Sequence, residues 1–108
     1  MAYDPDLAER LRKALSRRNG ISEKRMFGGI CFLLNGNMLC GVETGRFMFR
    51  VGKEQQAVAL SKPGATPMDF TGRPSGGMVW VAARECDGRA LAGWIALAEN
   101  FVGRLPRK

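Results

Sequence analysis

The dipeptide Asn35-Gly36 constrains the fold of this chain more than any other feature, because it separates two apolar runs. A two-residue type I′ turn needs positive φ at both central positions, and asparagine and glycine tolerate that conformation best. The residues on either side, of which Ile30 to Leu34 is the first run, therefore predict two antiparallel strands.

The register of this hairpin depends on the length of the turn. With a two-residue turn, which is our prediction, Cys31 pairs with Cys40 and their Cα atoms come within about 4.5 Å. With a three-residue loop and a bulge, Phe32 faces Cys40 and the two thiols are not neighbours. The adjacent thiols of the first register would permit a disulfide or a soft-metal site, but the commoner arrangement, and our prediction, is that both act as small buried hydrophobes.

A second hairpin is predicted around Thr44-Gly45, with Glu43 opposite Arg46 and Val42 opposite Phe47. Alternation of side chains along the strands then defines two faces. The predicted core face is apolar throughout and comprises Cys31, Leu33, Met38, Cys40, Val42, Phe47, Phe49 and Val51. The other face is half apolar and half charged, which predicts partial cover by another segment or subunit; it comprises Phe32, Leu34, Leu39, Glu43, Arg46, Met48 and Arg50.

Helices are predicted at both ends of the chain. Asp4 or Asp6 caps the first, which ends at Asn19-Gly20, and Asp87 caps the last. Each helix has an apolar stripe at helical spacing: Leu7, Leu11, Ala14 and Leu15 in the first, and Leu91, Trp94, Ile95, Ala98, Phe101, Val102 and Leu105 in the last.

The remaining segments predict shorter elements. These are a strand at Lys24 to Phe27, a bend at Gly28-Gly29, a helix at Glu54 to Leu60 with Ala57, Val58 and Leu60 turned inward, and a last strand at Met78 to Ala82. Residues 65–77 are turn-rich, with one extended piece at Met68 to Phe70, and predict a long functional loop.

The predicted fold class is α+β. The predicted order is helix, three or four strands, helix, one or two strands, helix, with an antiparallel sheet and helices on one side.

Composition narrows the possible functions. A chain of 108 residues predicts a single domain over 1–108, and its start does not resemble a secretory signal, so we expect a cytoplasmic protein with no membrane partner. The 17 Lys and Arg against 10 Asp and Glu give a net charge of +7, which favours anionic partners. The basic residues Arg10, Arg12, Lys13, Arg17 and Arg18 are interpreted as the solvated face of the first helix, with nucleic-acid binding as the alternative.

Histidine is absent, which excludes hydrolases with a histidine base and histidine-ligated metals. The three cysteines have no CxxC spacing, so neither a zinc ribbon nor a thioredoxin-type pair is indicated, and an odd number of cysteines suits a reducing compartment. Cys86, just before the last helix, is predicted to be the most exposed thiol. We expect no catalytic residue, no metal and no cofactor.

Two groups of residues are candidate interaction sites. In the segment DFTGRP, Arg73 either binds a phosphate or carboxylate or forms an internal salt bridge with Asp69; the nearby glycines lack the GK[ST] ending of a phosphate loop. Arg25, Arg46 and Arg50, with Trp80, either form an arginine and aromatic patch suited to a protein interface or cover apolar sheet surface with their aliphatic stems. Phe32, Leu39 and Met48 complete the candidate contact surface.

Four blocks in order, RMFGG at 25–29, LLNGNMLCGV at 33–42, FRVG at 49–52 and PMDFTGRP at 67–74, resemble the TfoX N-terminal-domain family, also called TfoX/Sxy. The resemblance spans nearly the whole chain and implies a small two-layer α+β domain similar to the secretion-chaperone-like fold. Longer members of the family carry a further helical domain and are regarded as transcriptional regulators of natural competence. We expect this chain to be a stand-alone member without that domain, and the resemblance implies no catalytic residues.

These observations predict a non-enzymatic regulatory or interaction module that forms a homodimer through the half-apolar sheet face. Two alternatives stay open: a nucleic-acid-binding accessory protein linked to competence or transcription regulation, which would use the basic first helix, and an enzyme acting on a small anion at the 69–77 segment.

Overall fold

A computed structural model describes the backbone of residues 4–26, 29–70 and 73–106, and the side chains of residues 4–25, 29–67 and 77–106. The helices are α1, Pro5–Ala14; α2, Gln56–Leu60; and α3, Gly88–Val102. The strands are β1, Ile21–Met26; β2, Gly29–Leu34; β3, Asn37–Glu43; β4, Arg46–Arg50; β5, Ala65–Phe70; and β6, Arg73–Ala82. Short 3₁₀ turns lie at Lys53–Gln55 and Ala83–Glu85.

The strands form one six-stranded sheet in the order β1-β2-β3-β4-β6-β5, and each neighbouring pair is antiparallel. β1 and β5 are therefore the two edges. The helices pack on the sheet, which confirms the predicted α+β class with helices on one side.

The main core lies between the helices and the sheet. Leu11 and Leu15 from the N-terminal segment and Trp94 and Ile95 from α3 pack against inward residues of the strands. The ring of Phe49 stacks on that of Trp94, with centroids 5.3 Å apart and an interplanar angle of 15°. Each large apolar side chain buried in this way contributes about 1.5–3 kcal/mol relative to exposure, so this layer is the principal stabilising contact of the fold.

Both terminal helices are capped as predicted, and of the two candidates for α1 it is Asp4, not Asp6, that forms the cap. A carboxylate oxygen of Asp4 accepts a hydrogen bond of 2.9 Å from the backbone N–H of Asp6, and Asp87 accepts one of 2.9 Å from Ala90. These bonds satisfy amide groups that have no partner inside the helix. α1 ends at Ala14, before the predicted stop at Asn19-Gly20, and a turn fills the interval.

The first hairpin has the predicted two-residue turn, with φ of 53° at Asn35 and 85° at Gly36. Its register follows our prediction for only two pairs, because a bulge lies between Phe32 and Leu33. Phe32 therefore faces Cys40, and Cys31 faces Gly41, so the predicted pairing of Cys31 with Cys40 is wrong. The bulge brings Phe32, Leu39 and Cys40 together in the main core, each with 0% exposure.

The bulge also reverses the predicted faces of part of this hairpin. Cys31 and Met38 belong to a separate cluster away from the main core, whereas Phe32 and Leu39 lie inside it. The predicted core positions Cys40, Val42, Phe47, Phe49 and Val51 are confirmed. The second hairpin has the predicted pairs, Glu43 with Arg46 and Val42 with Phe47.

Residues 65–70 and 73–77, predicted as a turn-rich loop with one extended piece at Met68 to Phe70, form instead β5 and the start of β6, which pair with each other. Proline is tolerated in an edge strand because its missing N–H is not needed there, and Pro67 lies in the edge strand β5. In α2, Ala59 is buried with 0% exposure and Leu60 packs against the core as predicted, whereas Ala57 and Val58 are exposed, Val58 by 56%, and are not turned inward as predicted.

Candidate interaction face

The sheet face opposite the helices, here called the open face, has its own apolar cluster. Cys31 and Met48 are buried at its centre, with 4% and 2% exposure, and Met38, Met78 and Trp80 pack around them partly exposed. Among the described residues, none of the helices covers this cluster. The open face is therefore the part of the sheet where apolar side chains remain available for contact.

A row of residues crosses the open face through five strands. The register aligns Cys31, Gly41, Met48, Trp80 and Thr66 from β2 to β5. A Cβ atom added at Gly41 would lie 3.2 Å from Cε of Met48 and 3.4 Å from Sγ of Cys31. The missing side chain at Gly41 thus leaves the space into which its two neighbours in the row pack.

Arg46 and Trp80 form the polar end of this surface. The guanidinium carbon of Arg46 lies 3.8 Å from the ring centroid of Trp80, and its Nε donates a 2.5 Å hydrogen bond to Oε1 of Glu43. A cation on an aromatic face is attracted by the ring quadrupole. The two contacts together fix the plane of the guanidinium against the sheet.

Arg50 lies at the end of β4 and contacts a different ring. Its guanidinium carbon is 5.6 Å from the ring centroid of Phe101, and its Nη1 lies 3.5 Å from the carbonyl oxygen of Met38. A distance of 3.5 Å marks a weak hydrogen bond at most. The structure therefore brings together Arg46, Met48 and Trp80 of the predicted surface, with Arg50 at its border.

The other predicted site residues are placed elsewhere. Phe32 and Leu39 are buried in the main core and have no exposed surface to offer a partner. Arg25 pairs with Ile30, which faces the helices, and it lines a separate 330 Å³ depression that includes Arg12 and Glu23. The side chains of Asp69 and Arg73 lie outside the described residues, so the predicted choice between an anion site and a salt bridge stays open.

Sequence reasoning missed Cys31, Met38 and Met78 as members of this surface. The signal that could have found the two methionines is the recurrence of this residue type, six in 108 residues. Methionine is flexible and polarizable, and it is frequent at adaptable binding surfaces. Their position on the open face could still not be assigned without knowledge of the bulge in the first hairpin.

All three cysteines are free and buried. Cys86 has 0% exposure, so its prediction as the most exposed thiol is wrong; Arg10 donates a hydrogen bond to its carbonyl oxygen and helps to close the turn over it. Burial raises the pKa of Cys86 to about 11 and also raises the pKa of Cys31 and of Cys40. The thiols are therefore protonated, and poor nucleophiles, at neutral pH.

Several cations of the first helical segment are already engaged. Arg12 forms salt bridges of 2.7 Å with both Glu9 and Glu23, and Arg18 forms one of 2.6 Å with Glu99. The hydrogen bond from Arg12 lowers the pKa of Glu23. These pairs reduce the number of cations in this segment that are available to a polyanion.

No group of three or more acidic or cysteine side chains among the described residues is arranged to hold a metal ion. None of the described helices has the length and apolar character needed to cross a membrane.

An antiparallel sheet covered by helices on one face and open on the other defines the class of two-layer α+β domains. The family model of the TfoX N-terminal domain matches residues 13–102, from the last turn of α1 to the end of α3. The chain therefore belongs to the TfoX N-terminal domain family. Comparisons with curated proteins and with solved structures found no match.

Proposed function

We propose that the protein is a non-enzymatic regulatory module that acts through protein contacts, and that its open face associates with a second copy of the chain. The observation that carries the proposal is the cluster of Cys31, Met38, Met48, Met78 and Trp80, which the described helices leave uncovered. The free, buried thiols suit action in a reducing compartment such as the cytoplasm.

The chemistry of the open face suits a protein partner. Methionine side chains adapt their shape to an opposing surface, and tryptophan and arginine are enriched at the centres of protein interfaces. Cys31 and Met48 are already buried by their neighbours, so association would cover the partly exposed Met38, Met78 and Trp80. The gain in burial comes from these three side chains.

Charge gives the association a distinctive salt dependence. Among the residues whose side chains are described, the open face carries Lys24, opposite Cys31, and Arg46, with Arg50 at its border, against one carboxylate, that of Glu43. Two such faces repel one another, and salt screens exposed charges over a Debye length of about 8 Å at physiological ionic strength. Self-association should therefore strengthen as salt is raised.

Analytical ultracentrifugation at tens of micromolar protein tests this proposal. We expect a dimer that tightens between low and high salt, loss of the dimer in Met78→Asp, and retention of it in Val58→Asp. Val58 is a matched control because it is an exposed apolar residue on α2, in the helical layer. A wild-type protein that stays monomeric at all salt concentrations would overturn the proposal.

Duplex nucleic acid is the second candidate partner. The observation that favours it is the depression lined by Arg12, Lys24 and Arg25 beside the edge strand β1. Because Arg12 is held by two glutamates, we rank this function below protein association.

Duplex DNA affinity measured against salt concentration tests the second function. Phosphate contacts release counterions, so binding should weaken as salt rises, the opposite of the dependence expected for self-association. Arg25→Gln should weaken binding, and Arg89→Gln, which removes the same charge outside that depression, should leave it unchanged. The absence of binding at low salt would eliminate the candidate.

A further inference from the structure

A depression of about 490 Å³ lies at one end of the open face, where the turn between β3 and β4 lies beside the start of β5 and the end of β6. Its walls include Arg46, Trp80 and Arg84, and Thr66 contributes a hydroxyl group. Ligand sites in proteins commonly enclose about 300–1,000 Å³. The depression is large enough for a small molecule.

The depression exists because several of the residues that line it are small. Gly64, Ala65 and Ala82 line the depression, whereas the large side chains of Trp80 and Arg46 stand at its side. Gly64 has φ of 80°, a conformation that favours glycine over residues with a side chain. The absence of bulk at this position is thus required by the backbone.

Arg46 is held in place before any ligand arrives. Its stacking on Trp80 and its Nε bond to Glu43 fix the guanidinium, and its two terminal nitrogens make no hydrogen bond to other residues in the described part of the chain. A planar guanidinium presents paired N–H donors that match two oxygens of a phosphate or carboxylate. A donor that is already ordered loses less conformational freedom when it binds.

Arg84 supplies a second cation in the same depression. It is exposed, and no described residue forms a salt bridge with it. None of the residues described as lining the depression is acidic; the nearby carboxylates are Glu43, which binds Arg46, and Glu85, next to Gly64. Within the described lining itself the charged groups are the two guanidinium groups, and they favour an anion over a cation there.

We propose that this depression binds a small molecule through an oxyanion, either a phosphate or a carboxylate group. Arg46 donates the paired hydrogen bonds, Arg84 contributes the second positive charge, and Trp80 contacts the apolar part of the ligand. The inference does not depend on self-association, because every group that it uses belongs to one chain.

The two tryptophans provide a direct test by nuclear magnetic resonance. Trp80 lines the depression, whereas Trp94 is 3% exposed and stacked on Phe49, so its indole N–H signal serves as an internal reference. The protein, labelled with nitrogen-15 and held at constant concentration, is titrated with inorganic phosphate, with acetate, and with sodium chloride at matched ionic strength. We expect a saturable shift of the Trp80 signal with at least one oxyanion, none with chloride, and none at Trp94.

Three variants assign the effect to its residues. Arg84→Gln, on the surface, should weaken binding about tenfold, the effect of losing one charge-assisted contact. Arg46→Lys keeps the charge but loses the paired donors, and should weaken binding similarly. Arg89→Gln, the control, removes an equal charge outside the depression and should bind as the wild type does.

The titration arms also identify the ligand class. Saturation by phosphate alone supports a phosphorylated ligand, and saturation by acetate supports a carboxylate ligand. The absence of saturation with both anions at tens of millimolar, an equal response to chloride, or unchanged binding by Arg84→Gln would overturn the inference. Repetition in Met78→Asp, the variant designed to be monomeric, separates this result from any change in self-association.

Discussion

Arg18 and Glu99 lie 81 residues apart in the chain and are joined by hydrogen bonds of 2.6 and 2.8 Å from one guanidinium to one carboxylate. The same guanidinium donates a 2.8 Å bond to the carbonyl oxygen of Ala14, the last residue of α1. Arg18 therefore satisfies an acceptor at the end of α1 and fixes that end against α3.

A double-mutant cycle with Arg18→Gln and Glu99→Gln should give a coupling free energy of about 1 kcal/mol, because the pair is bidentate and partly buried. The exposed pair of Arg12 and Glu9, at adjacent turns of α1, is the control and should give about 0.3–0.5 kcal/mol. Urea denaturation measures both cycles. Equal coupling in the two would contradict the role assigned to the pair between α1 and α3.

Gly41→Ala should destabilise the protein by about 1–3 kcal/mol, because the added Cβ overpacks a site that has no room for it. That atom would lie 2.9 Å from the carbonyl oxygen of Ile30, which is backbone and cannot move aside easily. The control is Gly93→Ala in α3, where a Cβ meets nothing within 4 Å. Since alanine favours a helix over glycine, that change should stabilise by up to about 1 kcal/mol, and thermal unfolding of both variants distinguishes the two signs.

Because its thiols are buried, we expect the protein to lose stability in alkali. Burial raises their pKa values, that of Cys86 to about 11, whereas the pKa of a thiol in an unfolded chain is about 8.5. Above that lower value the unfolded state releases protons first, so the thiol contribution to the free energy of unfolding is complete below about pH 8.5 and decreases as pH rises.

Urea denaturation at neutral and alkaline pH measures this effect. Cys40→Ala should show a smaller decrease on going to alkali than the wild type, whatever its stability at neutral pH. An equal decrease in the two proteins would show that Cys40 does not contribute. All other effects of alkali are common to both proteins and therefore leave the difference unaffected.

Asn37→Ala should cost about 1–3 kcal/mol, the usual penalty for removing one partner of a buried hydrogen bond. The amide of Asn37 is 4% exposed and donates a 2.9 Å bond to the carbonyl oxygen of Pro106, which ties the segment after α3 to the first hairpin. Asn100→Ala is the matched control, since its amide bonds Gln55 at an exposed position. That variant should change stability by less than about 0.5 kcal/mol in the same denaturation experiment.

Local chemistry was enough to predict several elements from the sequence. The caps at Asp4 and Asp87 follow from side chains that bond backbone amides nearby, and the turn at Asn35-Gly36 follows from the φ angles that these two residues tolerate. The charge pair across the second hairpin followed from its turn in the same way. None of these predictions needed information from a distant part of the chain.

The bulge at Phe32 could not be predicted in this way. Residues 30–34 are apolar on both faces of the strand, so polarity does not indicate which face turns to the core. Burial of Phe32 in the main core decides the matter, and that core is built in part from residues of α1 and α3. The same dependence on distant contacts explains why Phe32 and Leu39 were predicted on the contact surface, whereas both lie in the main core.

The β5–β6 hairpin was missed for a different reason. Its prolines and glycines are turn-forming residues in most contexts, and only the position of β5 at the edge of the sheet makes Pro67 compatible with a strand. Arg46 and Trp80 could be grouped by composition, but their contact required the pairing of β4 with β6.

The two edge strands, β1 and β5, determine whether the sheet can add strands from other copies of the chain. In β5, Pro67 has no backbone N–H to offer an incoming strand, and β1 carries the charged run Glu23, Lys24 and Arg25. Both features discourage the addition of further strands. Edge-to-edge addition of strands from other copies is thus disfavoured, even though the described helices leave the open face uncovered.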